Sequence, residues 1–552
     1  MTALYYHPEA YTTSGPRLMG RHAAGESFLR GFLLHSQSSE HWLLVEGAEH
    51  ARSFDATARA LGCSRPTKVV LRHQLGALAS GAGTLYYPGP ALADAAHHRS
   101  LHGHGRWSLC GITHTTSSDR AMDAIASLLT APVQPWDALI CTSTAVKNNV
   151  ERVLGAQAEY LKDRLGIQRL VLPRLPVIPL GIHTADFDFT PEDRARAREA
   201  LGVPPEALVV LFMGRLSFHA KAHPLAMYQA LEQAARLAHK PVVLIECGWH
   251  ANEAIRASFE EAQQLACPSV RCILLDGRVA EQRQRAWAGA DVACSLSDNI
   301  QETFGIVPIE AMAAGLPVVV SDWDGYKDTV RDGVDGFRIK THMPPPGLAR
   351  DLAYRHALNL DSYDMYCGHA SALVAVDVQA TKQAFVRLFE SPELRARMGQ
   401  AGQQRAREVY DWSVIIGQYE ALWQDQNQQR EKDSGRQGAL AHPWPARLDP
   451  LYGFAAYPSE VLRLQSRLTL VDAEVHEALD RLARYLRLNM VSFGLERLPS
   501  AAEARAVLRQ LGAGPATAQA LIEGVPAARQ PTVFRGLVWL MKLGILRLDP
   551  VE

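Results

Sequence analysis

Two basic side chains lie on one short loop of the sequence. The strand-like run LVVLFMG ends at Gly214, and Arg215 and Lys221 follow before the next helical pattern begins. Cations on a strand-to-helix loop can hold a diphosphate leaving group, because the charge on that group grows as its bond breaks. Two basic residues on a loop are more often solvated surface, so the pair indicates a diphosphate site only alongside other groups.

Two carboxylates follow a later strand-like run, ADVACSLS. Glu302 lies in the loop after this run, and Glu310 lies eight positions further on, early in a helix that Pro308 helps to start. These carboxylates can accept hydrogen bonds from sugar or ribose hydroxyls, although a first-turn glutamate also stabilises a helix dipole, which is a structural reason for Glu310. The loop amides expected to donate to the same hydroxyls are those of Thr303, Phe304, Gly305 and Ile306.

Short apolar runs alternate with helical patterns between residues 205 and 340. The runs LVVLFMG, PVVLIECG, VRCILLDG, ADVACSL and LPVVVSD are predominantly apolar, as is typical of strands covered on both faces. Strands that alternate with helices form a parallel sheet, and ligands bind such sheets beyond the carboxyl ends of the strands. The sequence therefore predicts a doubly wound domain over residues 191–426, with the two cations and Glu302 at its binding edge.

The first 190 residues have a similar pattern. Strand candidates are HWLLVEG, TKVVLR, TLYYPG, WSLCGITHT and DALICTS, and a helix from Ala145 to Leu161 follows the last of them. This pattern predicts a second Rossmann-like domain over residues 1–190. The expected fold class is α/β, with two doubly wound domains.

The chain beyond the second domain changes in composition. Residues 427–445 are polar and then punctuated by Gly and Pro, which is typical of a linker. Residues 446–552 follow as a small helical accessory domain: Val475, Leu479, Leu482 and Leu486 form a helical stripe, and Ser500 with Glu503 forms a capping-box signature. We expect this domain to position the acceptor or mediate self-association, and to supply no catalytic group.

Charge and cysteine usage exclude several classes of protein. The chain has 57 Lys and Arg against 58 Asp and Glu, a net charge of −1, with no block of like charges, so nucleic-acid binding is not expected. The eight cysteines are scattered, which favours buried reduced thiols over disulfides or zinc. No leader-like or membrane-spanning run is recognisable, so we expect a cytoplasmic protein with at most peripheral membrane contact.

Several consecutive segments together resemble family 4 of the retaining GT-B glycosyltransferases. The two glutamates stand in ETFGIVPIE, an E-x(7)-E motif, which is followed by AMAAGLPVVVSDWDG and VRDGVDGF. The turn VIPLGIHTADF, the helix start CTSTAVKNNV and the segment GITHT, which holds His114, match further family features. Two departures are that Lys221 stands one position later than usual after Arg215, and that residues 342–376 have the character of an insertion.

The resemblance implies a GT-B fold, in which two Rossmann-like domains face a cleft, and it implies roles for individual residues. Arg215 and Lys221 would neutralise the donor diphosphate, Glu310 would hold the nucleotide ribose, and Glu302 would orient the donor sugar. His114 would reach the sugar or the acceptor from the other domain. The remaining predicted contacts with the substrate are the loop amides at residues 303–306, Gly214, Val279 near the nucleotide base, and a donor-facing turn at Gly20 and Arg21.

The resemblance also implies an activity. We expect a retaining hexosyltransferase that uses a nucleotide sugar, UDP-linked rather than GDP-linked, and that needs no metal and no other cofactor. A glycan is the expected acceptor, because the family is associated with polysaccharide biosynthesis, and self-association through residues 446–552 is a further expectation. Two alternatives stay open: a catalytically decayed GT-B scaffold or binding protein, and a GT-B epimerase that acts on the sugar nucleotide itself.

Overall fold

The computed structural model describes residues 1–12, 20–433 and 444–549, without the side chains of residues 20–22. The chain divides into two compact units, Met1–Pro445 and Ala446–Glu552. The first unit, called the body below, contains both predicted Rossmann-like domains, and the second begins at the residue where the accessory domain was expected.

The N-terminal half of the body, residues 1–190, alternates strands with helices. Its elements are β1 (Thr2–Tyr5), α1 (Gly20–His35), β2 (His41–Val45), α2 (Ala48–Ala60), β3 (Thr67–Leu71), β4 (Thr84–Tyr86), α3 (Ala93–Ser100), β5 (Ser108–Ile112), α4 (Asp119–Ser127), β6 (Ala138–Ile140) and α5 (Thr144–Leu165). The strands form one sheet in the order β3-β2-β1-β4-β5-β6, and every pair is parallel. The central strand β1 was not among the strand candidates.

The C-terminal half of the body, residues 191–433, repeats this plan. Its first elements are α6 (Pro191–Ala200), β7 (Leu208–Met213), α7 (Leu225–Ala235), β8 (Val242–Gly248), α8 (Glu253–Ala266), β9 (Arg271–Asp276), α9 (Ala280–Gly289), β10 (Val292–Ser295), α10 (Ile306–Ala313), β11 (Val318–Ser321), α11 (Tyr326–Thr329) and β12 (Gly336–Ile339). They form a parallel sheet in the order β12-β11-β10-β7-β8-β9.

Both sheets have the doubly wound order, in which the chain starts at the centre and then reverses direction. The strands β7, β8 and β10 are buried along their whole length, as their apolar runs predicted. The predicted α/β fold with two Rossmann-like domains is confirmed, and it is the GT-B architecture. The order places a topological switch point between β7 and β10, where ligands of such sheets bind.

The predicted insertion is a folded segment that follows the last strand of the second sheet. After β12 the chain forms β13 (Thr341–His342), α12 (Arg350–Ala357), α13 (Tyr363–Ser371) and β14 (Ala375–Val376). Strands β13 and β14 pair antiparallel, so the two ends of the segment are held together.

Three further helices complete the body: α14 (Val378–Glu390), α15 (Pro392–Arg405) and α16 (Trp412–Lys432). Helix α16 returns to the N-terminal half, where the Trp412 indole donates to Ser27 Oγ at 2.7 Å. Fully buried Gln426 donates to the carbonyls of Leu109 and Trp136 at 2.8 and 2.9 Å. The expected linker at 427–445 is therefore wrong in its first residues, because the helix continues to Lys432; residues 434–443 lie outside the described part.

The second unit is helical, as expected, with a small sheet that was not predicted. Its elements are α17 (Pro450–Gly453), β15 (Arg467–Leu470), α18 (Val475–Tyr485), α19 (Asn489–Ser492), α20 (Ala501–Leu511), β16 (Ala516–Thr517), α21 (Ala518–Glu523), α22 (Gln530–Lys542) and β17 (Leu546–Leu548). The order of the three antiparallel strands is β16-β15-β17. The predicted apolar stripe lies on α18, and the predicted capping box starts α20, with the Ser500 amide donating to Glu503 Oε2 at 2.8 Å.

Candidate active site

The predicted cations and carboxylate meet at the switch point of the second sheet. Strands β7 and β10 are parallel neighbours, with Val210 opposite Val292. Arg215 and Lys221 follow β7, and Glu302 follows β10, so the carboxyl ends of the two strands bring their loops together.

Lys221 and Glu302 form an ion pair between these two loops. Lys221 Nζ donates to Glu302 Oε2, and the two side chains are 22% and 12% exposed. Burial would raise the pKa of Glu302, but Lys221 and the backbone N–H groups of Thr303 and Gly305 outweigh this effect and hold that pKa below its usual value. At neutral pH Glu302 is therefore an ionised carboxylate. Its negative charge is already paired with the positive charge of Lys221.

The loop after Glu302 is fixed by a glycine. Gly305 has φ +80°, and a Cβ atom there would lie 1.9 Å from Cε1 of Tyr326. The Tyr326 ring is fully buried, and its hydroxyl lies 2.8 Å from Ser295 Oγ. A side chain at 305 would therefore displace both the ring and the loop amides that contact Glu302.

Arg215 lies at the start of the loop that carries Lys221. Its guanidinium donates to the Ala220 carbonyl and to Gln301 Oε1, both at 2.9 Å. The first contact fixes the conformation of the loop, and the second links it to the residue that precedes Glu302. The structure thus brings both predicted cations and Glu302 into one cluster.

Glu310 lies further from the N-terminus of helix α10 than predicted. Helix α10 begins at Ile306, so Glu310 is its fifth residue and no acidic residue occupies its first turn. The expectation of a first-turn glutamate near a Pro308 start is therefore wrong, because the left-handed Gly305 starts the helix two residues earlier. Burial raises the pKa of Glu310 to about 7, against the opposing charges of Arg283 and Lys221.

Two predicted nucleotide contacts lie at the same sheet edge. Gly214 has φ +140°, and its carbonyl would be 1.9 Å from a Cβ at Gly248, so the ends of β7 and β8 approach each other as only glycines allow. Val279 immediately precedes α9 and is 41% exposed. Contact of either residue with a nucleotide stays a prediction.

His114 reaches the cluster from the N-terminal half. It follows β5, and its carbonyl accepts a hydrogen bond from Thr303 Oγ1 at 2.8 Å. Ser143, the N-cap of α5, donates to the Thr303 carbonyl at 2.7 Å. The loop that carries Glu302 is therefore held against the other half of the body by two hydrogen bonds at Thr303.

The donor-facing turn predicted at Gly20 and Arg21 is part of a helix. Gly20 begins α1, and Arg21 follows in its first turn. Their side-chain positions and the preceding residues 13–19 lie outside the described part of the chain. Their role at the donor stays a prediction.

Two acidic residues of the site were missed by the sequence reasoning. Asp324 has φ +44°, rare for a residue with a side chain, and its Oδ1 lies 3.3 Å from Ser143 Oγ. Its burial and the charge of Glu302 raise its pKa well above the usual value. Burial raises the pKa of Asp298 to about 7, although the His223 amide donates to its Oδ1 at 3.2 Å. A signal for Asp324 was its place in SDWDG, between the strand β11 and a glycine.

The cluster therefore offers two cations and one ionised carboxylate, and carboxyls with raised pKa values lie on the neighbouring loops and on α10. Cations can hold an anionic group, and carboxyls can bind hydroxyls. Among residues 1–12, 20–433 and 444–549, no three His, Cys, Asp or Glu side chains are grouped so that they could hold a metal ion. No helix within the same ranges is both long and apolar enough to cross a membrane.

A family comparison covers the C-terminal sheet. Residues 193–354 match the model of a family described as "Glycosyl transferases group 1". The matched segment runs from α6 to α12 and contains Arg215, Lys221, Glu302 and Glu310. The match supports the predicted glycosyltransferase class for the C-terminal half of the body.

Curated relatives carry a related description. The chain is 34% identical over 174 residues to a "D-inositol 3-phosphate glycosyltransferase" of Mycolicibacterium gilvum, covering 31% of this chain and 37% of the relative. It is 38% identical over 205 residues to the same kind of protein from Geodermatophilus obscurus, covering 34% of this chain and 41% of the relative. The chain spans about two fifths of the length of these relatives.

Solved structures are similar at lower identity. Anabaena Alr3699/HepE, described in complex with UDP and glucose, is 16% identical with a TM-score of 0.48, covering 76% of this chain and 98% of that one. The sucrose-phosphate synthase of Thermosynechococcus elongatus is 15% identical with a TM-score of 0.47, and the match covers 77% of this chain and 98% of that one.

Proposed function

We propose that the protein is a retaining glycosyltransferase that moves a sugar from a nucleotide-sugar donor to an acceptor hydroxyl, without a metal ion. The observation that carries this proposal is the cluster at the carboxyl ends of β7 and β10, where Arg215, Lys221 and Glu302 lie together beside the loop of His114. The group 1 match over residues 193–354 supports the transferase class.

The two cations suit a diphosphate leaving group. The bond between the sugar's anomeric carbon and the diphosphate oxygen breaks, and the oxygen keeps the electron pair. Arg215 and Lys221 stabilise the charge that grows there, and they do so in a partly buried site where such contacts are strong. Lys221 is shared with Glu302 before the donor binds, so the donor must compete for it.

The carboxylates suit the sugar and the ribose. Glu302, with the amides of its loop, orients the donor sugar, and Glu310 binds the ribose hydroxyls. A retaining glycosidase instead needs two carboxyl groups about 5 Å apart that flank the anomeric carbon. Glu302 and Glu310 both belong to the C-terminal half, so we favour displacement on one face: the acceptor oxygen bonds to the anomeric carbon as the departing phosphate takes the acceptor's proton.

The acceptor enters from the side of the N-terminal half, where His114 contacts it or the donor sugar. A glycan is the favoured acceptor. The relatives named D-inositol 3-phosphate glycosyltransferases make an inositol phosphate a second acceptor to test. A UDP-linked donor is favoured over a GDP-linked one.

The test is release of nucleoside diphosphate in the presence of EDTA from a panel of UDP- and GDP-sugars. Each donor is incubated alone and with free sugars, oligosaccharides, myo-inositol and sugar or inositol phosphates as acceptors. Diphosphate release that depends on an acceptor supports the proposal. An altered sugar nucleotide without release would indicate an epimerase, and donor binding without turnover would indicate a scaffold; either result contradicts the proposed transferase.

A further inference from the structure

The inserted segment after β13 is a folded element rather than a loose loop. We call residues 343–374, which hold α12 and α13, the insert. Its turn between the helices is fixed by buried Asp361, which accepts from Arg355 Nη2 and Nε at 2.7 and 3.0 Å. His369 Nδ1 lies 3.3 Å from the same carboxylate, so both helices are tied to one residue.

The first residue of α13 reaches the N-terminal half of the body. The Tyr363 hydroxyl lies 2.9 Å from Ser117 Oγ and 3.3 Å from Thr115 Oγ1. These two hydroxyls are themselves 3.2 Å apart, and they belong to the loop that carries His114. The insert therefore bridges the two halves at the loop expected to meet the acceptor.

The same helix also contacts the loop after β7. Gly368 packs on His219, whose Cβ would lie 3.0 Å from a Cβ at position 368. Asp364 Oδ2 lies 3.9 Å from His219 Nε2. The side chain of Gln301, which accepts from Arg215, lies beside the Tyr363 hydroxyl. A polar chain thus runs from the cation at the predicted diphosphate site to the His114 loop.

We propose that Tyr363 is a positioning residue that holds the acceptor-side loop 114–117 in place over the donor site, so that the insert forms a wall of the cleft that selects for acceptor over water. This inference rests on the proposed glycosyltransferase function. Tyr363 itself touches no reacting atom; it acts through Ser117 and Thr115. The hydroxyl can donate to one of them and accept from the other, which fixes both orientations.

The experiment removes only this hydroxyl. In Tyr363→Phe, we expect kcat/KM for the acceptor to fall about 5- to 10-fold, the size of effect that one hydroxyl hydrogen bond gives. The Kd for UDP and the rate of donor hydrolysis without acceptor should stay within about twofold of the wild type. The ratio of transfer to hydrolysis therefore falls by the same 5- to 10-fold.

A matched control lies one turn along the same helix. Tyr366 stacks on His356 within the insert, at 4.1 Å between ring centroids, so Tyr366→Phe removes a hydroxyl from the same element without touching the His114 loop. It should leave the ratio of transfer to hydrolysis unchanged. Ser117→Ala should lower the ratio in the same direction, by no more than Tyr363→Phe does, because it leaves the contact of Tyr363 with Thr115. The double variant should be no worse than Tyr363→Phe alone, because that variant has already lost the contact with Ser117.

Equal losses of transfer and hydrolysis in Tyr363→Phe would overturn the inference, and so would additive effects in the double variant. Failure of the proposed function is seen separately, as absence of nucleoside diphosphate release by the wild type. In that case hydrogen exchange decides the positioning claim: the amides of residues 113–118 should exchange faster in Tyr363→Phe than in Tyr366→Phe. Equal exchange in the two variants would overturn it.

Discussion

Replacement of Glu302 by glutamine separates donor binding from turnover. Glu302 contacts Lys221 Nζ and lies within reach of the amides of Thr303 and Gly305. The glutamine oxygen can keep the amide contacts, so the loop should stay folded, but the negative charge beside Lys221 disappears. We therefore expect UDP to bind as well as before or better, while turnover of the nucleotide sugar falls.

The sizes of the two effects follow from the burial of the pair. At an effective dielectric constant of about 20, two charges about 4 Å apart attract by about 4 kcal/mol. Most of this attraction is offset when the pair is broken, because water and counter-ions then solvate the separated charges. If removing the Glu302 charge makes the binding free energy of UDP more favourable by about 1 kcal/mol, UDP binds roughly 5-fold more tightly. Loss of a positioned polar group in a closed site costs about 10² to 10³ in kcat, or about 3 to 4 kcal/mol.

The assay is UDP binding by calorimetry together with UDP release from the active donor. The control is Glu260→Gln, which removes the carboxylate of an exposed ion pair with Arg256 on α8 and should change neither quantity. Turnover of Glu302→Gln within about threefold of the wild type, in a protein with an unchanged melting temperature, would refute the role given to Glu302. UDP binding weakened more than 10-fold would refute the competition between Glu302 and UDP for Lys221.

Arg215→Ala should raise the donor KM and lower kcat, together by about 10² to 10³ in kcat/KM, because in the proposed mechanism it pairs with charge that is present in the donor and grows in the transition state. Arg256→Ala, which breaks an exposed ion pair with Glu260 on α8, should change kcat/KM less than threefold. A chain ending at Pro445 should keep donor turnover, because we expect the second unit to supply no catalytic group; loss of turnover in this folded chain would contradict that expectation. A chain ending at Gln426 should melt at a clearly lower temperature because it loses the last turns of α16, and equal melting temperatures of the two chains would contradict this. Burial raises the pKa of Glu246 to about 7, so the folded protein binds a proton there that the unfolded chain releases above pH about 4.5, and stability falls as pH rises from about 4.5 to 7. Glu246→Gln should remove up to about 3 kcal/mol of the stability that is lost as pH rises. The melting temperature of this variant should therefore fall less between pH 5 and pH 8 than that of the wild type. An equal fall in the two proteins would contradict a raised pKa at Glu246.

The strands of the C-terminal half were predictable because its inner strands β7, β8 and β10 are covered on both faces, although the edge strand β9 is partly exposed. The run LVVLFM over β7 carries this signal alone. The rule that ligands bind beyond the carboxyl ends of strands directed the search to the loops after β7 and β10, where Arg215, Lys221 and Glu302 meet. Strand β1 was missed because only four residues, Thr2–Tyr5, mark it, although it lies at the centre of its sheet. Its position comes from pairing with β2 and β4, which no local pattern encodes.

The polar end of α16 shows why a composition signal can mislead. The segment after Gln424 is rich in Gln, Asn and charged residues, which is typical of a linker. In the structure Gln426 and Arg430 are buried, and they donate to backbone carbonyls of the N-terminal half. The polar groups are satisfied by tertiary contacts, so the helix continues where the composition predicted its end.

The contacts within the site were beyond sequence reasoning for a similar reason. Arg215 and Lys221 were grouped by proximity along the chain, but the pairing of Lys221 with Glu302 joins positions 81 apart. The hydrogen bond of Tyr363 with Ser117 joins positions 246 apart, from an element whose sequence indicated only an insertion. The residue types and the loops that carry them could be predicted from the sequence. The partner of each charged side chain could not, because it depends on how distant segments of the body pack together.

The most direct test of the account is the anomeric configuration of the product, followed by NMR during turnover in EDTA. Full-length protein is incubated with the donor that releases its diphosphate and with the acceptor that stimulates this release most. The account predicts one new glycosidic bond with the donor's own anomeric configuration, formed as fast in EDTA as with added Mg²⁺. An inverted product, or turnover that stops in EDTA and returns with Mg²⁺, would contradict same-face displacement driven by the cations Arg215 and Lys221.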